Sequence, residues 1–68
     1  MSEAPATADD LKAEIRKLSA QATSLKMDLH DLSEELPANW ERIPDLALKT
    51  FFAYQALDEA RKRLAAQG

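Results

Sequence analysis

A chain of 68 residues is one domain or less, a size at which a single apolar core barely offsets ordering entropy of roughly 1.5 kcal/mol per residue. With no cysteine it has no disulfide, no thiolate zinc site and no cysteine-ligated cluster of its own, which leaves oligomerisation as the usual remedy for a thin core. Nine Lys and Arg against twelve Asp and Glu give a net charge of −3, which opposes nonspecific attraction to nucleic acid or anionic lipid and favours a basic partner surface.

Residues 1–8 are small and polar, include Pro5 and show no apolar period, so they read as a flexible N-terminal arm. The opening Met1-Ser2-Glu3-Ala4-Pro5 lacks the basic and apolar regions of a signal peptide, and every purely apolar run is too short to cross a bilayer. A cytoplasmic location is expected. Thr7, Asp9 or Asp10 can cap the helix that follows, the two acids also suiting its positive end. From about residue 9 to residue 36 the chain is rich in Leu, Ala, Lys and Glu and free of Gly and Pro, which predicts one helix about 40 Å long.

Within that helix Leu11, Ile15, Leu18, Ala22, Leu25, Leu29, Leu32 and Leu36 recur at alternating spacings of 4 and 3. A period of about 3.5 residues keeps one stripe facing a neighbouring helix along its whole length, so these positions form a heptad seam. Leu25, Leu29, Leu32 and Leu36 are its structural centre. Pro37 ends the helix, because a proline pushes its predecessor out of the helical region and supplies no amide.

Residues 37–43 are the turn-like connection, short enough to join antiparallel neighbours. Trp40 within it is expected to close the core at the loop end, near Leu36 and Ile43. Pro44 suits the first turn of a second helix over about residues 44–66, with Asp45 near its positive end and Arg61, Lys62 and Arg63 near its negative end. The fold class is therefore all-α, two long antiparallel helices forming a hairpin. Ile43, Leu46, Ala53, Leu57, Ala60 and Leu64, with Thr50 and Tyr54 beside them, make the stripe that meets the first seam. Leu48, Phe51 and Phe52 lie well round the helix from Leu57, a surplus apolar face that predicts a second contact. Self-association into a helical dimer is the simpler account of it, and a site for a different protein is the other.

Metal-ligand side chains crowd together at His30-Asp31-Leu32-Ser33-Glu34-Glu35. His30 and Glu34 share a helix face at i and i+4, and an imidazole with carboxylates can hold a divalent cation. With no second imidazole or thiolate, the binding expected is weak, and the ordinary role of such a histidine is a solvated surface residue. No cofactor is expected. Asp31, Glu34 and Glu35 oppose the helix dipole at this end, while antiparallel pairing gathers Lys12, Arg16, Lys17, Arg61, Lys62 and Arg63 at the other, so the hairpin is polar end to end. No phosphate loop, nucleophile elbow, paired-cysteine or zincin motif occurs, and no enzyme activity is expected.

The block from Met27 to Pro37, with Leu29-His30-Asp31-Leu32 and Leu36-Pro37 at its heart, then Asn39-Trp40-Glu41 and Ile43-Pro44, resembles a small bacterial family of Rop-like helical hairpins known from nitrogen-fixation gene clusters. The likeness spans roughly residues 11–64. Phe51 and Phe52 depart from it in being more uniformly apolar than that pattern. The resemblance implies pairing of two chains into a rod-like four-helix assembly. It also implies a role in nitrogen fixation whose biochemistry family membership does not fix; with no catalytic motif and a surplus apolar face, the favoured reading is a non-enzymatic accessory protein that binds nitrogenase (the molybdenum–iron protein) or a cofactor-assembly protein and protects a particular state. The residues that would bind such a partner are Leu48, Phe51 and Phe52. The alternative is a divalent-metal carrier or buffer using His30 and Glu34. RNA binding, by analogy with the Rop dimer, needs a continuous basic face that this acidic chain does not offer, and fold likeness alone carries no function.

Overall fold

The computed structural model describes residues 8–67, in the order α1 (Ala8–Glu35), a short 3-10 turn (Trp40–Arg42) and α2 (Ile43–Ala66). The two helices pack along each other as a hairpin measuring 50 × 27 × 15 Å. Its radius of gyration, 15.7 Å, exceeds the value of about 11 Å expected for a compact globule of this length, so the molecule is a rod. The expected N-terminal arm falls mostly outside the described residues, as does Thr7, while Ala8, assigned to that arm, already belongs to α1. Asp9 and Asp10 occupy the first turn of the helix, where their charge suits its positive end.

Helix α1 stops at Glu35, one residue short of the expected limit, and Leu36 joins the connection ahead of Pro37 across a cis peptide bond. The chain reverses through three local bonds. The Ala38 amide donates to the Glu35 carbonyl at 3.0 Å, the Asn39 side-chain amide donates to Glu35 Oε1 at 2.8 Å, and the Arg42 amide donates to the Asn39 carbonyl at 3.0 Å. Asn39 takes the left-handed conformation at φ 62°, ψ 25°, where asparagine is among the few tolerated side chains. Pro44 then sits in the first turn of α2, where its missing amide costs no helical bond.

Among the described residues six apolar ones are buried: Leu11, Ala22 and Leu32 from α1, and Leu46, Leu57 and Ala60 from α2. The α1 residues all belong to the heptad seam, and the α2 residues to the facing stripe. An ion pair between Arg63 Nη2 and Glu14 Oε1, 3.3 Å long, joins the two helices near the open end. Counting inward from that pair sets Leu18 about level with Ala60, and Ala22 between Ala53 and Leu57. Large residues thus face small ones. Fully buried Ala22 and Ala60 let the helix axes approach while the leucines fill the space alongside.

Candidate functional site

The most exposed apolar surface on a regular element lies on α2. At about 100° per residue, Leu48, Phe51 and Phe52 fall on the opposite side of the cylinder from Leu46, Leu57 and Ala60. Once the latter three turn inward, the former three must face outward. Leu48, Phe51 and Phe52 are 54, 60 and 57% exposed. The two rings meet edge to face, with centroids 5.4 Å apart and planes at 71°, the arrangement favoured by their quadrupoles. Positions i, i+3 and i+4 of one helix therefore present a single apolar ridge, the pattern by which a helix anchors in another protein's groove.

A second surface runs along the seam itself. Ile15, Leu18, Leu25 and Leu29 of α1 and Ala53 and Leu64 of α2 are only half-buried, although they alternate with the core residues at heptad spacing. One neighbouring helix covers one flank of such a stripe and leaves the other flank to water. The heptad period located these residues, but not how far a single hairpin would leave them uncovered.

At the loop end, Trp40 does not close the core. It is 62% exposed, and Leu36 and Ile43 on either side of it are each 39% exposed. The left-handed step at Asn39 and the 3-10 turn that follows start α2 before the indole can fold back over the seam. In the same stretch of chain, Asp31, Glu34, Glu35, Glu41 and Asp45 are all exposed.

His30 and Glu34 do lie together, Nε2 to Oε1 at 3.6 Å, on an exposed face of α1. Among the described residues no group of three or more metal-capable side chains converges, there or elsewhere. Ser33, between them, donates to the His30 carbonyl at 2.7 Å and is turned back onto its own helix. Toward the open end a shallow groove between the helices is lined by Ser19, Thr23, Tyr54, Leu57, Asp58 and Arg61. Its carboxylate is engaged: Lys62 Nζ lies 3.0 Å from Asp58 Oδ2. That hydrogen bond and the charge of Asp58, with a smaller contribution from Glu59, hold the Lys62 ammonium above its ordinary value. No helix among the described residues is long and apolar enough to cross a membrane.

Comparison with known proteins agrees with this geometry. The Rop-like family model matches residues 6–68. A UPF0437 protein of Azorhizobium caulinodans is 52% identical over 56 residues, covering 82% of this chain and 81% of its own. A UPF0437 protein of Frankia alni, described as lying in the nifX-nifW intergenic region, is 55% identical over 40 residues, covering 59% of this chain and 49% of its own. An NMR structure from a structural-genomics consortium is 57% identical, has a TM-score of 0.82, and matches 97% of this chain and 89% of that one.

Proposed function

The chain belongs to the Rop-like family, and from that premise we propose that it is a non-enzymatic accessory protein of nitrogen fixation. In this reading it binds a nitrogenase component, the molybdenum–iron protein, or a protein that assembles its cofactor, and holds that partner in a particular state. The observation that carries the reading is the ridge of Leu48, Phe51 and Phe52, apolar and outward on an otherwise well-formed helix. Exposed phenylalanines are not needed to fold α2, whose inward face is supplied by other residues, and contiguous apolar patches on small proteins mark contact sites. The genomic setting in the name of the Frankia alni relative supports the nitrogen-fixation half of the proposal. With it goes the pairing of two copies through the half-buried seam, which would cover Ile15, Leu18, Leu25 and Leu29 while leaving the phenylalanine ridge free.

The test is affinity purification from nitrogen-fixing cells, with co-purifying proteins identified by mass spectrometry. Wild-type protein is expected to retain a nitrogenase or assembly component. Phe51→Ala and Phe52→Ala are each expected to weaken the association by about 2 kcal/mol, because a few buried aromatics dominate most interfaces. Retention of the partner by both variants at wild-type level would sink the ridge assignment. The carrier alternative is examined by calorimetry with zinc and nickel: tight one-to-one binding lost in His30→Ala would replace the accessory reading with it.

A further inference from the structure

We propose that the loop end of the hairpin is a second docking surface, separate from the phenylalanine ridge, that receives an arginine-bearing segment of a protein partner on Trp40. The apolar part is Trp40 with Leu36 and Ile43, three large side chains within residues 36–43 that the fold leaves exposed. Trp40 lies on a turn tied by the bonds of Ala38, Asn39 and Arg42, so the residue beneath the indole is anchored.

The electrical part is a marked imbalance of charge. Residues 28–45 hold Asp28, Asp31, Glu34, Glu35, Glu41 and Asp45 against Arg42 alone. Six carboxylates and one guanidinium leave this end at −5, whereas the chain as a whole is only −3, so the remainder is net basic. Folding gains little from the acids that end α1, though Glu35 accepts the turn bond from Asn39 and Asp45 suits the positive end of α2. Acids in the last turn of α1 oppose the helix dipole, no basic residue offsets them there, and the ion pairs that join Lys62 to Asp58 and Arg63 to Glu14 lie at the far end. An exposed indole in a segment so rich in carboxylates selects a cation with a flat face: a guanidinium stacks on the ring and forks to a carboxylate, which a hydrated ammonium does less well. Phosphate, nucleic acid and anionic lipid are repelled by the same field.

The probes are fluorescein-labelled hexa-arginine and hexa-lysine peptides, titrated with the full chain and followed by anisotropy at low and at physiological salt. Hexa-arginine is expected to bind more tightly than hexa-lysine. Trp40→Ala, and separately the exposed pair Glu34→Gln/Glu41→Gln, are each expected to weaken it about ten-fold, a loss of about 1.4 kcal/mol. The control Asp9→Asn/Glu59→Gln removes as many carboxylates from the opposite end and is expected to leave affinity unchanged. Circular dichroism confirms that each variant is folded. Equal losses in the control and the tip pair would reduce the effect to net charge and overturn the proposal, as would full binding by Trp40→Ala. Sedimentation closes the remaining route: a tip variant that dissociates a wild-type dimer would assign the surface to a second copy of the chain and overturn it too. Because these readouts use no nitrogenase protein, their failure leaves the phenylalanine ridge untouched, and the converse holds.

Discussion

Leu32 has almost no exposed surface, whereas Leu36, four residues further along the same stripe, is exposed beyond the end of α1. The two leucines are chemically identical and differ in what they touch. Leu32→Ala is expected to cost about 2–5 kcal/mol, since it deletes buried methyls and leaves a cavity that a two-helix rod cannot fully collapse. Leu36→Ala is expected to cost far less. Thermal melts followed at 222 nm compare them, and equal stability of the two variants would mean that the seam does not extend from the core to the loop in graded fashion. Sequence pattern locates the stripe that holds Leu11, Ala22 and Leu32, but not which of its members a single hairpin buries. It misjudged Trp40, whose position depends on the dihedral angles of Asn39 and on where α2 begins, and neither leaves a periodic signal.

At the scale of elements, the hairpin depends on its turn and on the integrity of α2. Asn39 at φ 62° occupies a region that β-branched side chains reach only at a cost of about 1–2 kcal/mol. Asn39→Val is therefore expected to lower the melting temperature more than Asn39→Gly, since both lose the side-chain bond to Glu35 and only valine adds the Cβ clash; equal melts would place the turn's conformation elsewhere. In α2, Lys62 is held above its ordinary value of 10.5 chiefly by its hydrogen bond to Asp58. A raised folded-state value means that the favourable pairing is fully present below 10.5 and is lost as pH rises through the higher value in the folded protein. The pair is exposed, so the effect is small. Helix content of wild type should exceed that of Lys62→Gln at neutral pH and converge with it above that range, and a difference that grows with alkalinity would contradict the sign. Helix extents were legible to within a residue or so, since Pro37 and Pro44 bracket the connection. The 3-10 turn inside it was not, because Trp-Glu-Arg carries no signal that separates a single tight turn from an irregular loop.

For the whole molecule, the half-buried seam poses an energetic problem that the proposed pairing answers. A two-helix rod with six buried residues among those described covers too little apolar surface to offset the ordering of its backbone, and the uncovered flank of the seam is where a second hairpin adds most. Leu25 and Leu29 report on this directly. In a lone hairpin each is half in water, and truncation to alanine removes only part of a core contact; in a paired assembly each is enclosed, and the loss rises toward about 2–5 kcal/mol. Pairing also makes stability depend on concentration, because the folded state is then favoured by mass action. The melting temperature of wild-type protein is expected to rise with protein concentration, and light scattering is expected to give twice the mass of one 7.6 kDa chain. Leu25→Glu, which sets a charge on the uncovered flank, should abolish both signatures, whereas Phe52→Glu on the outer ridge should abolish neither. A compact wild-type monomer whose melting temperature ignores concentration would refute the pairing and leave the seam's open flank to a different protein.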